Sequence, residues 1–435
     1  MRTLLKNSAI ALVLLAGVTT YAQKDNRSID NFREPDKRGI NVFEAPKDTL
    51  TTFENVRVRI GGSSTIQFQA LDHSNLNPSI TVDGVTSNPY QLKEIGSNFN
   101  LATANLDLDV ALYDGVRMHL RTYLSSRHHP EPYVKGGYFQ IDKLEFIKPG
   151  FLEDVMKYTT IKIGHMENNY GDAHFRRSDN AQAIYNPFVG NLIMDAFTTE
   201  VGAELLVRKN GFIGMVGMAN GKLNQSINKT GDGSTGGASL LAKLGYDKQI
   251  NSDLRFRLTG SLYNTGYVQN SYLYSADRAG SRYYGVMIPA TAAGDNFRSG
   301  RYDPGFKNQI TAFMINPFIK YKGLEFFGTI ETTSGKSNVE LEDRKANQFS
   351  GELVYRFGND ENFYIGSRYN KVDSEDLSGS DVEISRFQIA GGWFMTKNIL
   401  MKVEYVNQKY DGYKANSNFA DGKFNGLMAE AVISF

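Results

Sequence analysis

The sequence predicts an all-β fold: one transmembrane antiparallel β-barrel of about 16 strands, with short periplasmic turns and long extracellular loops. Three observations carry that expectation. From Val56 onward apolar residues alternate with polar or charged ones at a period of two, the signature of strands with unlike faces. The connections between those runs alternate between short and long. The composition is rich in Tyr (24), Phe (27) and Gly (42) but has only 11 Pro, which favours many strands over helices.

The N-terminus comes first. Arg2 and Lys6 precede the apolar run 9–18, and Thr20 and Ala22 stand three and one positions before a cut at Gln23. This is the pattern of a cleaved export signal, 1–22, and its apolar run is too short to span a bilayer as a helix. With no Cys, an exported chain has neither a disulfide framework nor a cysteine for lipid attachment, so its sheet must hold it together. Residues 23–55 are polar and irregular, with Pro35 and Pro46, and read as a periplasmic N-terminal extension or linker. The barrel is expected to occupy 56–435.

The strands follow in order. VRVRI sets Val56, Val58 and Ile60 against Arg57 and Arg59, and the parity resumes after Gly61-Gly62 to close a strand over 56–69. Leu106, Leu108, Val110 and Leu112 oppose Asp107 and Asp109 in 101–113, and an Asp114-Gly115 turn leads into 115–126. The same reading gives 134–145, 158–166, 200–208, 211–220, 238–247, 253–265, 308–321, 323–334, 345–357, 361–373, 382–396, 398–411 and 424–435. Of these, 211–220 and 308–321 alternate least well.

Loop lengths then sort by side. Connections at 114, 209–210, 248–252, 322, 358–360 and 397 are short; those at 70–100, 167–199, 221–237, 266–307, 335–344, 374–381 and 412–423 are long. A short 127–133 on the long side and a longer 146–157 on the short side depart from the alternation. A soluble sandwich has no reason for this, whereas a membrane barrel has one short-turned and one long-looped rim. In hydrocarbon every backbone polar group needs an internal partner, so the sheet must close on itself. Charges in mid-strand, such as Glu430, then line a lumen. Phe435 and, beside short turns, Tyr246, Phe357 and Phe363 suit an aromatic girdle.

A cleavable signal, no Cys, alternating loops and a closing strand ending in Phe resemble the Gram-negative outer-membrane porins. NVRVRIGGSSTIQFQAL, TIKIGHMENNYGD and TEVGAELLVRKNGF look like barrels related to the phosphate-selective porin family. The resemblance implies an outer-membrane location among lipid and lipopolysaccharide, a homotrimer, and passive diffusion of small hydrophilic solutes or anions. It also implies that the loop after the fifth strand folds inward and narrows the pore. Residues 167–199 suit that role. Phe188, Val189, Leu192, Ile193, Met194 and Phe197 would be costly in water, Gly171 and Gly190 permit bends, and both charge signs are present. Asp172, His174, Arg176, Arg177, Asp179 and Asp195 are the expected constriction residues.

Parity assigns the lumen wall. Its bases are Arg57, Arg59, Arg117, Arg121, Lys162, Arg208, Lys243, Arg255, Arg257, Arg356, Arg368, Arg386 and Lys402. Its acids are Asp107, Asp109, Asp142, Glu204, Glu325, Glu331, Glu352, Glu404 and Glu430. Thirteen bases against nine acids favour anions, unless the charges pair across neighbouring strands. The Tyr-rich stretch 266–307 suits an ordered lid, a contact surface or a variable surface loop. Its aromatics can stack on sugars and admit a sugar-specific channel, while the family resemblance admits a phosphate-specific one. A barrel plugged by its own loops, acting as an adhesin or as a subunit of an outer-membrane machine, is the rival reading.

No enzyme is expected. Asp72-His73 and His128-His129 lack companions at ligand spacing, and GDGSTGG (231–237) lacks the lysine of a phosphate loop. No cofactor or metal is called for, and a net charge of +1 gives no pull toward nucleic acid.

Overall fold

The computed structural model describes residues 29–48, 50–124, 132–223, 227, 236–275, 282–293 and 298–435. The expected signal peptide, His128-His129 and residues 231–235 of the GDGSTGG stretch lie outside the described residues. Along the chain the strands are β1 (Arg57–Ser74), β2 (Ile80–Val82), β3 (Val85–Ser87), β4 (Asn98–Tyr113), β5 (Val116–Leu124) and β6 (Tyr133–Ile141). Next come β7 (Thr159–Glu167), β8 (Thr199–Lys209), β9 (Phe212–Ala219), β10 (Ser239–Gln249), β11 (Leu254–Thr265) and β12 (Gln309–Tyr321). The last six are β13 (Leu324–Lys336), β14 (Arg344–Phe357), β15 (Phe363–Glu375), β16 (Asp381–Thr396), β17 (Ile399–Asp411) and β18 (Gly422–Ser434). Sixteen of these close into one antiparallel barrel, and β2 and β3 form a separate hairpin.

The barrel closes where β18 pairs with β1, from Ser63↔Ser434 to Ser74↔Lys423. Beyond that ladder Gly62 and Phe435 exchange two backbone hydrogen bonds of 3.0 Å. Each of the sixteen barrel strands is thus paired on both sides. Glu430 sits inside this seam, buried, with Lys402 Nζ at 2.6 Å and Gln67 Nε2 donating to it at 2.6 Å.

Each strand separates two environments. Val58, Ile60, Leu106, Leu244, Ile365 and Val403 are exposed on the outer face, while Asp109, Arg257, Gln388 and Glu404 are buried inside. At the short-turn rim, Tyr355, Phe357, Phe363 and Trp393 stack side by side on the outer face at 5.9–6.1 Å. Phe212 meets Tyr246 at 5.1 Å at the same rim.

The weakly alternating 308–321 is a strand with a local defect. Pro317 brings no N–H, so the β12–β13 register passes from Ile315↔Ile330 to Phe318↔Phe327. Asn316 Nδ2 repairs the gap by donating to Gly328 O at 3.0 Å. Gly328 is required there, because a Cβ would lie 2.8 Å from Pro317 Cγ. The connection 142–158, on the short-turn side, carries the one α-helical turn, α1 (Glu153–Met156), among the described residues.

Candidate functional site

Three segments enter the barrel and fill most of its interior. The first is 29–48, which precedes β1 at the short-turn rim. Asn41 Nδ2 donates to Glu325 Oε1 at 2.6 Å, and Arg255 Nη1 donates to Asn41 O at 2.8 Å. Phe43 lies among Phe175, Phe318 and Phe327, 5.4–6.4 Å between ring centroids. Lys47 Nζ reaches Asp142 Oδ1 at 2.9 Å, and the Lys37 N–H reaches Lys397 O at 2.8 Å. Residues 29–48 of the stretch read from sequence as a linker thus lie against the inner wall, while Leu50, Glu54 and Asn55 are exposed.

The second is the β7–β8 loop, 168–198, almost wholly buried. Its apolar members, Phe188, Val189, Ile193 and Met194 among them, are inaccessible to solvent. The far wall satisfies its backbone. Val189 N–H donates to Glu404 Oε2 at 2.7 Å, Ile193 N–H to Asn370 Oδ1 at 2.6 Å and Met194 N–H to Gln348 Oε1 at 2.9 Å. Lys402 Nζ donates to Ala183 O, Asn186 O and Phe188 O at 3.0–3.2 Å. These bonds explain why inward positions of β14–β17 carry Gln, Asn, Glu and Lys. Gly171 bends the chain with φ +68°, and Gly190 allows close approach, since a Cβ there would meet Tyr283 Oη at 2.0 Å.

The third lies in the β11–β12 connection. Tyr283 Oη donates to Glu404 Oε1 at 2.7 Å, Arg282 pairs with Glu430 at 3.2 Å, and Met287 N–H donates to His73 Nδ1 at 2.9 Å. This loop, read as a lid or a surface feature, sends its described core into the lumen. His73 Nε2 in turn donates to Lys93 O at 2.8 Å, so the histidine of the Asp72-His73 pair is engaged by two loop backbones.

The six expected constriction residues do not form one cluster. Asp172 accepts from Arg257 Nε and Nη2 at 2.8 and 2.9 Å, from Thr259 at 2.8 Å and from Lys243 at 3.0 Å. Those cations hold its carboxyl far below the usual range against the opposing effect of burial. Arg176 bonds Asn41 Oδ1 at 2.9 Å and Glu352 at 3.3 Å, whereas Arg177 pairs with Asp195 at 2.7 Å. Adjacent in sequence, the two arginines serve different partners. His174 contacts Glu167 at 3.2 Å, and burial lowers its pKa. Asp179 accepts from Asn180 N–H at 2.7 Å.

Every wall base named from parity in the site lies on the inner side, mostly paired. Arg57 meets Asp30 at 3.8 Å, Arg59 meets Asp109 at 3.2 Å, Arg121 meets Asp107 at 2.7 Å, Lys162 meets Glu204 at 3.6 Å and Arg255 meets Asp247 at 2.7 Å. Arg257 holds both Asp172 and Glu44. Most of these partners are acids of neighbouring wall strands; Asp30, Glu44 and Asp172 on the in-folded segments add to them, which strand parity alone does not reveal.

A cavity of about 150 Å³ lies beside β4–β7. Arg33, Arg117, Arg121, Lys135 and Lys162 line it together with Asp107 and Glu167. Arg117 Nη2 donates to Gln140 Oε1 at 2.6 Å, and its Nε is buried without a hydrogen-bond partner. Arg33 donates to Gly39 O and Phe175 O and lies 3.7 Å from the Tyr185 ring centroid. Tyr185 Oη donates to Glu34 O at 2.6 Å. Among the described residues no group of three or more His, Asp or Glu could hold a metal ion.

Solved structures share this architecture. OmpT, an outer membrane protein of Vibrio cholerae in a trimer form, superposes with a TM-score of 0.51 at 10% identity, over 88% of this chain and 100% of its own. An anion-selective porin from Comamonas acidovorans gives 0.52 at 11% identity over 88% and 100%. The outer membrane channel DcaP of Acinetobacter baumannii gives 0.52 at 12% identity over 88% and 98%. The barrel has the porin fold. At such identities the likeness is one of fold alone. No family model matches the sequence, and no curated protein does. The interior of this barrel is occupied above all by Phe43, Glu44, Arg282 and Tyr283, none of which strand parity could assign. The apolar residues within the polar stretches 29–48 and 282–293 were the available signal.

Proposed function

We propose that the chain is an outer-membrane channel through which small hydrophilic solutes diffuse, with a mild preference for anions. The porin fold and the apolar outer face support the location, with outer-membrane lipid and lipopolysaccharide as the surroundings. The trimer form of the Vibrio protein supports a homotrimer. The observation that carries the solute reading is the cavity beside β4–β7, where five Arg and Lys side chains face two acids. An excess of one sign in a water-filled passage raises the local concentration of the opposite ion. The β7–β8 loop, with its Asp172, Arg176, Arg177 and Asp195, is the constriction that confines solute to that side.

Planar-bilayer recordings under a KCl gradient test the reading. Single-channel steps with an anion-leaning reversal potential are expected, and Arg117→Gln should move that potential toward cations. Insertion without any steps would leave the rival reading, a plugged barrel serving as an adhesin or interaction subunit. The filling of the lumen by three segments is the observation in its favour.

A further inference from the structure

We propose that residues 29–48 are a displaceable gate across the short-turn mouth of the lumen, and that the structure is its closed state. The inference rests on the channel reading and concerns how that channel is controlled.

The segment touches the barrel on widely separated sides. Lys47 meets Asp142 after β6, Glu44 meets Arg257 on β11, Asn41 meets Glu325 on β13, and the Lys37 N–H meets Lys397 O in the β16–β17 turn. In the ring β6 and β16 are far apart, so the segment crosses the opening. It also braces the constriction, because Arg176 bonds Asn41 Oδ1 and Arg33 bonds Phe175 O.

Its attachment is of a kind that can be undone. It adds no strand to the wall, whose backbone groups are already paired by neighbouring strands; its one regular element is the turn Lys37–Gly39. The wall charges it engages keep partners without it. Glu325 retains Arg356 at 2.8 Å, Arg255 retains Asp247 at 2.7 Å, Arg257 retains Asp172 at 2.8 Å, and Asp142 retains Thr160 at 2.6 Å. Departure therefore leaves each of these wall groups hydrogen-bonded, Asp142 by Thr160 and Gln140, which favours two stable arrangements rather than one. The groups that leave, Asn41, Glu44 and Lys47, are recovered by water. Phe43, seated among three phenylalanine rings, is the main apolar anchor to be released. Arg33 leaves with the segment, so opening also removes one cation from the cavity.

The test is planar-bilayer conductance of the full chain, a variant lacking 29–48, and the double variant Phe43→Cys with Phe318→Cys in this cysteine-free sequence. The deletion is expected to give steps several-fold larger than wild type and a weaker anion preference. The oxidised cysteine pair should stay at the small step, and reduction should release larger ones. Equal steps from wild type and a folded deletion variant would overturn the gate and leave the channel reading standing. Should the deletion variant not fold, equal steps from the oxidised and reduced cysteine pair would overturn the gate. Silence from every form would overturn the channel reading and the gate with it.

Discussion

Arg257 grips Glu44 through two hydrogen bonds of 2.7 Å, with both side chains buried inside the barrel. The same guanidinium bonds Asp172, so one strand residue joins the N-terminal segment to the β7–β8 loop. Arg257→Gln would leave two buried carboxylates with Lys243 as their nearest cation. Removing one partner of such a buried group costs about 3–5 kcal/mol. Thermal unfolding in detergent should show a clearly lower midpoint, and an unchanged midpoint would remove Arg257 from its role as a clamp.

Acid should loosen the same contact. Glu44 is held at about 2, below an ordinary 4.5, chiefly because Arg257 outweighs the cost of burial. A depressed carboxyl stabilises the folded form above its unfolded pKa and loses that contribution as pH falls toward its folded one. The window is therefore between about 4.5 and 2. Conductance is expected to be steady near neutrality and to rise on acidification through that window, while electrophoresis still reports a folded barrel. Glu44→Gln should abolish the rise. A flat profile in the wild type would separate Glu44 from any gating.

Arg177 and Asp195 form a pair of 2.7 Å inside the constriction loop, buried on both sides. Arg177→Glu would set two carboxylates against each other where water cannot screen them. The loop should detach from the wall, so larger and noisier conductance steps are expected in addition to any change in selectivity. A pure selectivity change at constant step size would show that the ion pair does not hold the loop.

Trp393, the single tryptophan, stacks 6.1 Å from Phe363 on the outer face at the short-turn rim. If that rim lies at the membrane interface, its emission should be blue-shifted and quenched by lipids brominated near the glycerol more than near the chain ends. Stronger quenching by iodide in water than by any brominated lipid would place the rim outside the bilayer.

The wall was legible because each strand separates two solvents and writes that contrast every second residue. The expected 398–411 became Ile399–Asp411, and the poorly alternating 211–220 became Phe212–Ala219. β1 ran on to Ser74 past the expected 69 because β18 continues to pair with it, Ala70 opposite Leu427. The hairpin of β2 and β3 escaped notice, although Asp83-Gly84, both at positive φ, is the turn that joins it. The N-terminal segment escaped for a different reason. Asn41, Glu44 and Lys47 look the same in sequence whether they face bulk water or a polar lumen. Charge partners were equally hidden, since Arg257 finds Asp172 and Glu44 at sequence separations of 85 and 213.

The seam between β1 and β18 has a kinetic consequence. Gln67 and Glu430, bonded across it, are 363 residues apart in the chain. Bringing such distant stretches together costs an entropy of about 5 kcal/mol beyond a constant term, before any of its hydrogen bonds form. Every other neighbouring pair in the ring is local by comparison, so the last joint is the slow one. Until it sets, two long, oily ribbons stand open to strangers, so the chain is most exposed to wrong pairing just before it closes.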